Sequence, residues 1–154
     1  MAHHSTNFSL VVSLPDEAAQ TYALDLARQA SRLNQGDEAE ADFPAELQEH
    51  TEDWCFETDA DSPASEHGLW LHSSDGGIDA VCAFLQHLLQ KFNPAGHVAF
   101  EWSHDCSRPL TDAYGGGAAL ITVKGIKTMS TGQWLRENTP DANPSFQLQP
   151  PTPN

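Results

Sequence analysis

The densest run of reactive side chains in this sequence is Glu101-Trp102-Ser103-His104-Asp105-Cys106, with Arg108, Asp112 and Tyr114 close behind. Two chemistries are open to it. His97, Glu101 and His104 are ligands of the kind that hold zinc. Cys106 with His104 as its base is a nucleophile pair. The residues themselves argue against both. A reactive thiol needs a lowered pKa, and acidic neighbours push it the other way. A strand with Val98, Phe100 and Trp102 inward turns His97, Glu101 and Ser103 to solvent, where polar residues are ordinary. Gly115-Gly116-Gly117 would let backbone amides converge on an anion. No Lys-Ser/Thr follows, however, so this is no P-loop, and a bend or bulge at a strand start is the expectation. A small enzyme or ligand-binding protein with its site between residues 101 and 117 is therefore the alternative reading. It would use Glu101, His104, Asp105, Cys106, Arg108, Asp112 and Tyr114. No metal and no cofactor is expected.

The stronger signal is charge. Between Arg32 and Lys91 there is no lysine or arginine, and this span holds fourteen of the 22 acids. The formal net charge is −15; without those fourteen carboxylates the remainder stands at about −1. The acidity is local. Its candidate binding residues are Asp37, Glu38, Glu40, Asp42, Glu46, Glu49, Glu52, Asp53, Glu57, Asp59, Asp61 and Glu66, with Asp75 and Asp79 beyond them. Such a span repels nucleic acid and anionic membrane and attracts basic protein surfaces. Asp59-Ala60-Asp61 lacks the glycine and the glutamate that complete an EF-hand loop. The expected function is non-enzymatic: an acidic protein-binding protein that imitates a nucleic acid and occupies the basic cleft of a nucleic-acid-binding complex. Clustered carboxylates suit this, because duplex DNA carries about one charge per 1.7 Å of its axis.

The elements that must position these groups follow from periodicity. Phe8 to Leu14 alternates as a strand with one buried face. Pro15-Asp16-Glu17 opens a helix that runs to Asn34-Gln35-Gly36. Residues 37–53 are expected to be a solvated acidic loop, with at most a helical turn at 45–50. Trp54 to Thr58 and Gly68 to His72 read as strands. Ile78, Val81, Cys82, Leu85, Leu88, Leu89 and Phe92 mark one face of a second helix. His97 to Ser103 is a strand, residues 118–127 are β-rich, and Thr131 caps a short helix with Trp134 and Leu135. The first six elements match the split β-α-β plan of ferredoxin-like or related sheets: an α+β fold with two main helices on one face of an antiparallel sheet. Trp54, Trp70, Trp102 and Trp134 are expected in the core. One domain over 1–138 and a proline-rich, disordered tail over 139–154 complete the layout.

Phe100-Glu101-Trp102-Ser103-His104-Asp105-Cys106-Ser107-Arg108-Pro109, then Asp112-Ala113-Tyr114-Gly115-Gly116-Gly117-Ala118 and the stretch 128–135, resembles a group of small bacterial and phage proteins. That group shares a Glu-Trp stretch, Cys-Ser-x-Pro, an aromatic residue before three glycines, and a closing Trp-Leu. The resemblance spans residues 98–136. It implies a phage or mobile-element setting, in which an inhibitor of a host defence complex would be at home, and brings no catalytic residue with it. Three cysteines without CxxC spacing suit free thiols in a cytoplasmic protein. The sequence has no signal-peptide pattern and no stretch long enough to span a bilayer.

Overall fold

The computed structural model describes residues 3–60, 66–111 and 113–140. In chain order the elements are β1 (His4–Ser13), α1 (Glu17–Asn34), α2 (Ala45–Gln48), a 3-10 turn (Thr51–Asp53), β2 (Glu57–Asp59), β3 (Gly68–Ser73), α3 (Ile78–Phe92), β4 (Val98–Cys106), β5 (Gly115–Thr122), β6 (Gly125–Ser130) and α4 (Thr131–Asn138). The fold is α+β. One antiparallel sheet runs β2-β3-β1-β4-β5-β6. Its first four strands alternate with α1 and α3 in the split arrangement the periodicity implies, and a β5–β6 hairpin extends it.

Local chemistry explains the boundaries. The Asp16 carboxylate accepts the Ala19 N–H at 2.8 Å and so caps α1. Gly36, at φ 102°, turns the chain out of the helix. Gly76 and Gly77, at φ 87° and 86°, lead into α3, where a Cβ on Gly77 would lie 3.1 Å from the Asp53 carbonyl. β1 starts four residues earlier than its apolar alternation, because its polar first half pairs with the end of β4, His4 opposite Cys106. Its apolar second half pairs with β3. Residues 118–127 are a hairpin rather than one strand, turning at Val123 and Lys124.

The core lies on one side of the sheet. Phe8, Leu69, Leu71, Phe100, Ala119 and Ile121 face Ala23, Leu26 and Ala30 of α1 and Val81, Phe84, Leu85 and Leu88 of α3. The other face is open: Ser9, Val11, Ala99, Glu101, Leu120, Lys127 and Met129 are exposed. Two expectations need correction. Residues 37–53 are anchored, not merely solvated, because Phe43, Leu47 and Thr51 are buried. They recur every four residues, the spacing of one helix face. The four tryptophans also divide: Trp54 is 3% exposed, Trp70 and Trp102 are half-buried, and Trp134 is 51% exposed. Residues 61–65, Asp112 and residues 141–154 of the expected tail lie outside the described residues.

Candidate functional site

The acidic segment descends from α1, crosses α2 and the 3-10 turn, and ends on the edge strand β2. Its buried residues Phe43, Leu47, Thr51, Trp54 and Phe56 seat it against the helical layer, with Trp54 and Phe84 edge to face at 5.3 Å. The carboxylates between those anchors point outward. Asp37, Glu38, Glu40, Asp42, Glu46, Glu49, Glu52, Asp53, Glu57, Asp59 and Glu66 are all exposed, while Asp61 lies outside the described residues. Among the described residues, one lysine or arginine reaches this set: Arg32 lies 3.9 Å from Glu40. The other partners are histidines: His87 for Glu46 at 2.8 Å, His50 for Glu49 at 3.5 Å, and His72 for Glu57 and Asp59 at 3.7 and 3.9 Å. The flank therefore keeps its negative charge.

Three sets of contacts show how it is held. Glu46, His87 and Tyr22 form a chain: Glu46 Oε1 lies 2.8 Å from His87 Nδ1, and His87 Nε2 lies 2.8 Å from the Tyr22 hydroxyl. A backbone hydrogen bond at Glu46 and the His87 contact hold the Glu46 carboxyl below its ordinary range. This has the connectivity of a nucleophile relay, yet burial, followed by Glu46 and Asp42, pushes the Tyr22 hydroxyl up, away from the reactive tyrosinate. The chain clamps α2 to α1 and α3. Asp53 accepts the Ala80 N–H in the first turn of α3, while burial and Asp79 raise its pKa. The sulfur of Cys55 lies 3.4 Å from the Asp75 carbonyl, and its thiol is pushed up by burial, then by Asp53 and Asp75.

The alternative set does not come together. The run 101–106 lies within β4, so its members alternate between faces: Glu101 and Asp105 are on the open face, His104 and Cys106 on the other. His104 Nδ1 shares a 2.8 Å hydrogen bond with the Thr6 hydroxyl rather than with Cys106. Its position separates it from Glu101, so the His97, Glu101 and His104 ligand set is not assembled. Among the described residues, no group of three or more His, Cys, Asp or Glu could hold a metal. The Tyr114 hydroxyl donates to the Arg108 carbonyl at 3.2 Å and closes the β4–β5 loop, and Asp112 lies outside the described residues. The three glycines are strand residues rather than a bend: a Cβ on Gly117 would overlap the Trp102 ring and lie 2.6 Å from the Met129 carbonyl. A cavity of about 590 Å³ lies beside them, lined by Trp102, Met129, Trp134 and Leu135 among others. Of the described residues in the alternative site, it includes Glu101 alone.

No family model, curated protein or solved structure matches the chain. Among the described residues, no helix is long and apolar enough to cross a membrane. Sequence reasoning found the carboxylates but missed what presents them. The Phe43, Leu47 and Thr51 spacing was the available signal. His72 and Trp70, stacked at 3.9 Å beside the β2 carboxylates, gave none, because only the strand register brings them there.

Proposed function

We propose that this protein is a non-enzymatic binding protein whose acidic flank engages a basic surface of another protein. The observation that carries the reading is the exposed run of carboxylates on buried anchors, with only Arg32 as a neutralising lysine or arginine among the described residues. Anchoring matters physically. A charge array fixed on a folded support loses little conformational entropy on binding, whereas a floppy acidic loop must be ordered at that moment. Dispersal of Glu101, His104 and Cys106 over two strand faces supports a binding role over a catalytic one.

The finer form of the reading is nucleic-acid mimicry in a phage or mobile-element setting. The carboxylates stand in for phosphates in a basic cleft, and the host complex that owns the cleft is inhibited. A cytoplasmic site of action goes with it. The experiment is capture from a nuclease-treated extract of the native host, with the wild type beside a variant carrying Glu49→Gln, Glu52→Gln, Asp53→Asn and Glu57→Gln. The reading expects a nucleic-acid-binding protein to be retained by the wild type, lost from the variant, and displaced by added duplex. Equal retention by both proteins would sink it.

A further inference from the structure

The outer edge of β2 combines an open strand with charge. Among the described residues β2 pairs with β3 alone, so the far side of Glu57–Asp59 has backbone N–H and C=O groups with no strand to take them. Folds blunt such an edge with a short strand and charged side chains, and Glu57–Asp59 has both, so the chain it can still template is one whose charge complements its own. The register sets out its two sides. Glu57 stands opposite His72 and Asp59 opposite Trp70 on the open face, while Thr58 stands opposite Leu71 on the helix-covered face. On that covered side α1 overhangs the edge. A groove of about 410 Å³ separates Leu24, Ala27 and Arg28 of the helix from Phe56 and Thr58.

We propose that this edge accepts an extended basic segment of a partner protein as an additional strand. The proposal rests on the reading of the flank as a partner-binding surface, and it specifies the partner's conformation and residue pattern. Side chains of an added strand alternate between faces. On the open face they would lie beside Glu57 and Asp59, whose nearest charge-bearing partner among the described residues is His72 at 3.7 and 3.9 Å. Its Nε2 is buried and makes no hydrogen bond. Lysine or arginine complements that pair of carboxylates. On the covered face the alternate side chains would enter the groove under α1, where Arg28, 3.7 Å from Asp25, disfavours a second cation and a mixed lining of Leu24, Ser31 and Thr58 admits a small uncharged group. The recognised pattern is therefore basic and small uncharged residues in strict alternation.

The probe is a short peptide alternating lysine and valine, beside the same peptide with every backbone nitrogen methylated. Methylation keeps the charge and removes the backbone donors on both edges of the added strand, whichever edge faces β2. Calorimetry at physiological salt uses the full chain and its Glu57→Gln/Asp59→Asn variant, whose two side chains are exposed and leave the core untouched. Strand addition predicts binding of the plain peptide, with about tenfold weaker binding on methylation and again in the variant, each equivalent to about 1.4 kcal/mol. Equal binding of both peptides, both weakened in the variant, would overturn strand addition and leave the acidic flank standing. Indifference to the variant, or no binding of either peptide, would also overturn it. Failure of the parent reading shows separately, as native-partner capture that survives neutralisation of the flank.

Discussion

Single side chains here act mainly to hold charge in place. The Glu46–His87–Tyr22 chain gives a pH signature. The Glu46 carboxyl is held below its unfolded value, so its contribution is present above the ordinary carboxylate range and is lost as pH falls through the lower folded value. Glu46→Gln should therefore be less stable than the wild type at pH 6, with the gap closing towards pH 3, as read by thermal melts across that range. A constant gap would mean that the titration is not what matters. Gly117 makes a second test. Gly117→Ala should cost about 1–3 kcal/mol in urea unfolding, because the new methyl meets the Trp102 ring and the Met129 carbonyl in a close-packed place. A phosphate cradle or a flexible bend would tolerate it.

At the scale of elements, legibility depended on how much of each signal was local. The two long helices and the alternating strands could be read because one face of each repeats with its own period. α2 was legible only as a helical turn at 45–50, since four residues carry too little periodicity to show a buried face, and the acids around it read as solvent-exposed. Its place is fixed by Leu47, which is fully buried. Leu47→Ala should destabilise the fold by about 2–5 kcal/mol, measured by chemical denaturation, whereas a solvated loop would show under about 0.5 kcal/mol. The strand expected to end at Ser103 runs on to Cys106. Glu101, His104, Asp105 and Cys106 therefore all lie on it and alternate between its faces, which disperses the alternative site. Extension of β1 into Ser5, Thr6 and Asn7 was illegible because its partner lies about a hundred residues away.

For the molecule as a whole, charge is the property that the sequence made plain and the fold preserved. Most of the acids cluster on the helical layer and the β2 edge, while Lys124 in the β5–β6 turn, Lys127 on β6 and Arg136 on α4 sit at the other end of the sheet. The protein should bind neither duplex DNA nor RNA at physiological salt, because the flank lacks the cations whose counterion release drives such binding. Salt-sensitive sub-micromolar binding in a gel-shift experiment would show otherwise. The central claim is that the flank, and not the loop after β4, makes the contact. Its most direct test is the affinity of the captured host partner, by surface plasmon resonance, for two variants: one with Glu49, Glu52, Asp53 and Glu57 neutralised, the other carrying His104→Ala and Tyr114→Phe. The account predicts at least about a hundredfold weakening in the first, about 2.7 kcal/mol, and an unchanged affinity in the second. Retained affinity in the first with loss in the second would contradict it.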